Sequence, residues 1–280
     1  KGPVFWYAAN VPGPFYVNTE LVIGSEIAGA LLNKITDIVA STPDLATRAG
    51  QLHAAIMKAH DSSAAFQQVI KALIVKAKEE FPSDSYTHIS GGERRDWIFS
   101  IPVAETCGLP HVYLFKNGAV YSGQNLKPGT PVLHISDLIN NGASYLDVWL
   151  PALKKAGLPC AGTLCVNSRG TGVQKLEAIG LKAVALNDID LGFFERSLAS
   201  RLIDAGTLEE IQTYFASPRD WAARYLLRDM SLFDVKAIDP KSFERLQSFF
   251  TKDPWSLRDG HEDFFAAMQA AIAERQKNAA

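Results

Sequence analysis

Pro131-Val132-Leu133-His134-Ile135-Ser136-Asp137-Leu138-Ile139-Asn140-Asn141-Gly142-Ala143-Ser144 joins an apolar run to a cluster of small polar residues. The stretch predicts a buried strand ending at Ser136 and Asp137, a turn over the Asn and Gly residues, and a helix opening at Ala143. Such a join sets free backbone N–H groups, a helix N-terminus and one carboxylate close together. Amides placed in this way can wrap a terminal phosphate. The Asp137 carboxylate can accept hydrogen bonds from sugar hydroxyls or hold a hydrated divalent cation. Asn, Gly and Ser also suit any ordinary turn, so an unspecialised strand-to-helix connection stays open on this stretch alone.

Outward from it, strand and helix signals alternate. Apolar runs at 86–89, 111–115, 132–135, 163–166 and 182–186 read as strands, and 97–107, 143–156 and 173–179 read as the helices between them. This alternation predicts an α/β fold with a mostly parallel, doubly wound sheet. Ligands of such sheets lie beyond the carboxyl ends of the strands, and Gly91, Arg94, Lys116, Asp137 and Arg169 each stand just after a predicted strand. Helical spacing of apolar residues over 26–39, 45–59 and 64–81 predicts a helical N-terminal region. After Asn187 strand signals cease, and 193–205, 208–215, 219–228, 242–250 and 262–273 read as helices. The expected division is an α/β domain over residues 1–190 and an all-helical C-terminal extension over residues 191–280. Trp221 with Tyr225, and Phe243 with Leu246, Phe249 and Phe250, form aromatic faces at helical spacing whose expected role is core packing.

A chain of 280 residues can bury the core of one large domain or of a domain with an appendage. A formal net charge of −2 gives no electrostatic reason to expect nucleic acid or an anionic membrane as a general partner. No apolar run approaches the roughly 18 to 20 residues that cross a bilayer, and residues 1–7 lack a signal-peptide pattern, so a soluble cytoplasmic protein is expected. Cys107, Cys160 and Cys165 lie in apolar surroundings and read as buried free thiols. The histidines show no ligand spacing, and none takes a catalytic role.

Residues 132–144 resemble the phosphoribosyl pyrophosphate (PRPP) motif of type I phosphoribosyltransferases, in which four apolar, two acidic and two apolar residues precede Thr-Thr-Gly-x-Ser. Asp137, Gly142 and Ser144 match, while Ser136 stands for the first acid and Asn140 and Asn141 stand for the threonines. Further similarities follow in the family's order over roughly residues 4–190. Pro14-Phe15-Tyr16-Val17-Asn18-Thr19 is similar to the N-terminal segment of the orotate branch, and residues 89–102 to the pyrophosphate loop and its helix. Residues 109–116 resemble the strand that delivers an Arg-Lys pair to the catalytic flexible loop. Val166-Asn167-Ser168-Arg169 resembles the orotate branch's Val-Asp-Arg, whose arginine grips the carboxylate of the base.

This resemblance implies a Mg²⁺-dependent transfer of ribose 5-phosphate from PRPP to a nitrogenous base, orotate or a related one, with release of pyrophosphate. It also implies a cytoplasmic homodimer serving pyrimidine biosynthesis. Ser136, Asp137, Asn140, Asn141, Gly142, Ala143 and Ser144 would bind PRPP, and Gly91, Gly92, Arg94 and Arg95 the pyrophosphate. Asp137 and Lys116 would serve catalysis, Asp137 would also hold the metal, and Arg169 would bind the base.

The chain departs from the family pattern at definite points. Phe115 replaces the arginine of the Arg-Lys pair, Ala119 stands where the loop's further lysine is expected, and residues 117–129 are short for that loop. These departures keep a second reading open, a PRPP- or nucleotide-binding sensor on the same fold that has lost turnover. A third is an unrelated doubly wound protein that binds another phosphorylated ligand.

Overall fold

The structure, a computed structural model, describes residues 4–7 and 9–279; residues 1–3, read above for a leader pattern, lie outside them. It has two compact units: Asn18–Ile189, and the chain from Asp190 onward together with the residues before Asn18.

In the larger unit the apolar runs pair into one six-stranded sheet. Its strands are β1 (His88–Gly92), β2 (His111–Leu114), β3 (Val120–Tyr121), β4 (Val132–Ile139), β5 (Cys160–Ser168) and β6 (Ala183–Asp188), in the order β3-β2-β1-β4-β5-β6. All neighbours are parallel except β2 and β3, which form a hairpin. Side chains alternate between the two faces as the strand period of two requires. Val112 and Leu114 of β2 and Cys165 of β5 join one core, whereas Tyr113, Leu164 and Val166 join the other. The second core is covered by α1 (Ser25–Ser41), α2 (Leu45–Ser62), α3 (Ala64–Glu80) and α4 (Asp96–Cys107), and the first by α5 (Leu150–Lys155) and α6 (Gly172–Ala178). The α/β class, the mostly parallel doubly wound sheet and the N-terminal helices are as the alternation requires.

Helix ends follow local chemistry. Asp44 and Ser63 cap α2 and α3 by accepting from the Thr47 and Phe66 amides. Gly108, at φ 65°, ends α4 in the left-handed conformation that glycine adopts without strain.

One boundary near the decisive stretch differs from expectation. β4 does not stop at Asp137, because Leu138 and Ile139 continue its pairing against Asn167 and Ser168 of β5. The helix opens at Ala143, as expected, and widens over Tyr145–Trp149, with the Leu150 amide reaching back five residues to the Tyr145 carbonyl before α5 takes over.

From β1 the chain winds through α4 to β2 in one direction, and from β4 through α5 and α6 to β5 and β6 in the other. β1 and β4 are therefore adjacent strands from which the winding departs in opposite directions. A crevice opens beyond the carboxyl ends of such a pair.

The second unit is helical: α7 (Leu191–Ala199), α8 (Ala205–Ala216), α9 (Pro218–Trp221), α10 (Pro240–Lys252) and α11 (Glu262–Ala279). Trp221, Leu246, Phe249 and Phe250 are buried in its core, as the aromatic spacing implied. The chain's first residues differ from the expected division. Trp6 is 4% exposed among Phe233 and Phe249 of the helical unit, and its carbonyl accepts from Arg245 Nη1 at 2.6 Å. A large aromatic ring takes the deepest apolar site within reach, and for Trp6 that site is helical.

All three cysteines are free thiols, Cys165 buried and Cys107 and Cys160 half-buried. Among the described residues no helix is long and apolar enough to cross a membrane.

Leu164 is fully buried in β5 between neighbours on both sides. Leu164→Ala is expected to cost about 2 to 5 kcal/mol by lost burial and cavity formation, read from the urea unfolding of the full chain; a loss below about 1 kcal/mol would contradict the central position of this strand.

Candidate functional site

A cleft of about 210 Å³ lies at the carboxyl ends of β1 and β4, the site that the opposed winding creates. It gathers Arg94 and Arg95 from the turn after β1, Lys116 from the turn after β2, and Asp137 and Ser144 from β4 and the loop beyond it. Asp96, Tyr145 and Trp149 complete its lining.

Asp96 organises this cleft. It is 7% exposed at the first turn of α4, with Oδ2 accepting from the Gly92 amide and Oδ1 from the Asp137 amide, each at 3.1 Å. One carboxylate thus fastens the ends of β1 and β4 together. His134, 1% exposed beneath the cleft, brings Nε2 to 3.5 Å from Asp96 Oδ2, while its Nδ1 shares a hydrogen with Ser90 Oγ at 3.0 Å. Withdrawal from water raises the Asp137 carboxyl well above the ordinary carboxylate range. The negative charge of Asp96 and a hydrogen bond with it act in the same direction, and Arg95 opposes them.

The positive side comes from three residues. Arg94 directs a guanidinium nitrogen to the Thr36 hydroxyl. Arg95 pairs with Glu20, its Nε 3.1 Å from Oε2. Lys116 anchors its backbone amide on the Glu93 carboxylate at 3.1 Å, and its ammonium makes no ion pair among the described residues. Two neighbouring arginines therefore both line the cleft, Arg94 meeting Thr36 of α1 and Arg95 meeting Glu20 just before that helix.

The remaining expected residues divide. Ser136 does not reach the cleft: it is 1% exposed, and its hydroxyl is bonded to Tyr145 Oη at 2.5 Å, which is also 2.8 Å from Thr163 Oγ1. Gly91 and Gly92 are glycines for packing. A Cβ at Gly91 would lie 2.0 Å from Ser100 Oγ and one at Gly92 2.4 Å from the Trp149 ring, while the Gly92 amide is already taken by Asp96. Of the expected phosphate cradle, Ser144 alone lines the cleft. The Ala143 amide is bonded to its neighbour Asn141 Oδ1 at 3.1 Å, the Asn140 carbonyl accepts from the Gly172 amide at 2.8 Å, and Gly142 is buried at φ 77°. Among the described residues the Asn141 and Gly142 amides have no acceptor. Arg169 follows β5 at the same edge, with its amide on the Ile139 carbonyl at 2.9 Å, and does not line the cleft. Phe115 is 1% exposed against Trp97, at 5.2 Å between ring centroids, so it is a core residue.

Sequence reasoning missed Asp96, Tyr145, Glu20 and Thr36. An acid at the first turn of a helix, with three residues between it and the Gly91-Gly92 pair, was a readable signal for Asp96. The others act across large sequence separations and left no local signal.

Among the described residues no group of three or more His, Cys, Asp or Glu side chains has the geometry of a metal site. Mg²⁺ bound with polyphosphates keeps most of its shell as water and phosphate oxygen and needs one or two protein carboxylates. A half-buried Asp137 whose charge is opposed by Asp96 fits that requirement, since a cation relieves the repulsion between them.

No family model matches the chain. It is similar to orotate phosphoribosyltransferases: 30% identical over 146 residues to that of Cereibacter sphaeroides strain ATCC 17029, covering 49% of this chain and 62% of the relative. The similarity to the Dinoroseobacter shibae protein is 26% over 156 residues, covering 53% and 69%. The chain thus spans less than two thirds of the first of these relatives. Among solved structures, orotate phosphoribosyltransferase from Francisella tularensis aligns at TM-score 0.49 and 12% identity, over 76% of this chain and 91% of that one. UMP synthase from Leishmania donovani aligns at TM-score 0.48 and 16% identity, over 55% and 33%.

Asp96→Ala strands the Gly92 and Asp137 amides. The expected cost is about 2 to 5 kcal/mol in urea unfolding, and a neutral result would show that the two strand ends do not need the carboxylate. For Asp137 the raised folded-state pKa means that the native chain holds the proton more tightly than the unfolded chain. Its ionisation therefore withdraws stability as pH rises from the ordinary value of 3.8 through the folded-state value. Asp137→Asn, which cannot ionise, should melt above the wild type at pH 8, with the difference vanishing below about pH 4. A constant difference across that range would refute the assigned electrostatics.

Proposed function

We propose that the larger unit binds PRPP in the cleft between the ends of β1 and β4 and transfers its ribose 5-phosphate to a nitrogenous base, orotate or a close relative, releasing pyrophosphate. The observation that carries this reading is the meeting of Arg94, Lys116, Asp137 and Ser144 in one cleft, in a chain similar to orotate phosphoribosyltransferases.

Each part of the ligand has a partner in this reading. Arg94 and Lys116 take the diphosphate, with donors and positive charge in place before the leaving group gains charge. Ser144 takes the 5′-phosphate. Asp137 meets the ribose hydroxyls, and its hydrogen bond to Asp96 fixes the direction of its carboxyl. Glu20 keeps Arg95 beside the cleft, where its charge offsets that of the two aspartates. Mg²⁺, when bound, supplies neutralisation of the diphosphate charge, and Asp137 is the residue that would hold it. Arg169 would reach the carboxylate of the base from the adjacent strand end.

A second reading is a sensor that binds PRPP without turning it over, and one observation favours it. The segment after β2 is a tight hairpin, with the Gly118 amide on the Phe115 carbonyl at 2.9 Å and the Phe115 amide on the Ala119 carbonyl at 3.0 Å. A lid carrying an additional cationic donor is absent from this turn, and such a donor is commonly worth ~10²- to 10³-fold in rate.

Calorimetry with PRPP and Mg²⁺, followed by measurement of pyrophosphate release with orotate, uracil and adenine, separates the readings. Binding with pyrophosphate release supports the transferase, and binding without release from any base supports the sensor. Asp137→Asn is expected to weaken PRPP binding at least tenfold at pH 7.5. The absence of PRPP binding by the wild type would end both readings.

A further inference from the structure

We infer that the larger unit carries a second small-molecule site, for a neutral planar nitrogen heterocycle of one or two rings. It is a cavity of about 560 Å³ at the amino end of β2, between α2, α4 and the β2–β3 hairpin. It is larger than the cleft and within the size range of small-molecule sites. Glu105, which lines it, stands nine residues along α4 from Asp96, about 14 Å at the helical rise.

The shape of the cavity follows from its walls. Ala46, Ala49, Gly50 and His53 recur at helical spacing on one face of α2, so that wall has little side-chain bulk except at His53. Another wall is aromatic: His111 packs edge to face on Tyr113 at 4.3 Å between centroids, and Tyr113 meets Tyr121 at 6.2 Å. The Tyr113 hydroxyl donates to the Ala49 carbonyl at 3.3 Å and ties the two walls together. Small residues along one side and aromatic side chains along the other admit a flat ring and disfavour a branched or bulky ligand.

Its charge selects the ligand further. Among the described residues no lysine or arginine lines the cavity, whereas the Glu105 carboxylate does, with His53 Nε2 at 3.1 Å. A phosphate or carboxylate would find no positive counterpart there beyond that already engaged histidine. The arginine- and lysine-bearing cleft has the opposite character.

The polar groups along the walls fit a neutral ring. His111 shares a hydrogen between Nε2 and Ser100 Oγ at 2.8 Å, and burial holds its imidazole neutral, pushing its pKa down to about 3, so this wall adds no cation. Gln124 at the rim offers both a donor and an acceptor, and the edge of a nitrogen heterocycle offers both in return.

Gly50 supplies the test. It is exposed, and a Cβ there meets nothing within 4 Å, so Gly50→Leu fills the cavity mouth while improving helix propensity. Titration calorimetry of the full chain with adenine, nicotinamide and nicotinate is expected to show binding of adenine and nicotinamide. Nicotinate, the anionic counterpart of nicotinamide, should bind at least tenfold more weakly. Gly50→Leu should weaken adenine and nicotinamide at least tenfold, melt no lower than the wild type, and leave pyrophosphate binding unchanged. Ala46→Leu, from the same exposed helix face, gives the same reading should Gly50→Leu not fold. The inference is overturned if neither neutral ring binds at millimolar concentration, if a folded blocking variant binds them as the wild type does, or if nicotinate binds as well as nicotinamide.

Discussion

The Asp96 carboxylate holds together the two strand ends from which the sheet winds in opposite directions. Neither Gly92 nor Asp137 has a sheet partner for its amide at this point, since β1 and β4 pair only as far as Ser90 and His134. Two diverging strands leave their last N–H groups facing a gap that water would otherwise fill. A single carboxylate with four lone-pair sites satisfies both amides at 3.1 Å and brings a negative charge into the floor of the cleft. The same contact that closes the fold thereby sets the electrostatics of the site.

Much of the surrounding structure answers that charge. Arg95 is drawn to the cleft and held there by Glu20, His134 lies beneath with Nε2 towards Asp96, and Asp137 is left with a carboxyl that resists ionisation. Trp149 crosses above Gly92 in the space a side chain would have filled, and Tyr145 is locked by Ser136 and Thr163. The loop after β4 therefore starts from a rigid, dry base even though Ser144 at its end faces the cleft. A site that must bind a highly charged ligand gains from this arrangement, because its dipoles need little reorganisation when charge arrives. The instability of two neighbouring carboxyls in the cleft is the counterpart of affinity for a cation or a donor-rich sugar.

The parts legible in the sequence were those with a local period. Alternation of strand and helix signals gave the parallel sheet, and spacing of apolar residues gave the N-terminal helices and the aromatic core of the helical unit. Position just after a strand placed Arg94, Lys116 and Asp137 at one edge. The illegible parts depended on partners far away in sequence. Ser136 carries a hydroxyl that suits a sugar as well as a tyrosine, and only the fold brings Tyr145 to it. Gly91 and Gly92 look like a phosphate loop, yet Ser100 and Trp149 occupy the space beside them. Trp6 reads as part of the segment that follows it, but the larger aromatic core lies over two hundred residues away, where Arg245 holds its carbonyl. Asp96 was open to reading from its place at a helix start, and was hidden by the two arginines before it.

The central claim is that the Asp96-fastened cleft is built for a phosphoribosyl group. A crystal structure of the full chain grown with PRPP and Mg²⁺ tests it most directly. The account requires the diphosphate against Arg94 and Lys116, the 5′-phosphate at Ser144, and the ribose over Asp137, with the two amide bonds to Asp96 intact. PRPP bound elsewhere on the chain, or bound only after Asp96 has released the ends of β1 and β4, would contradict it.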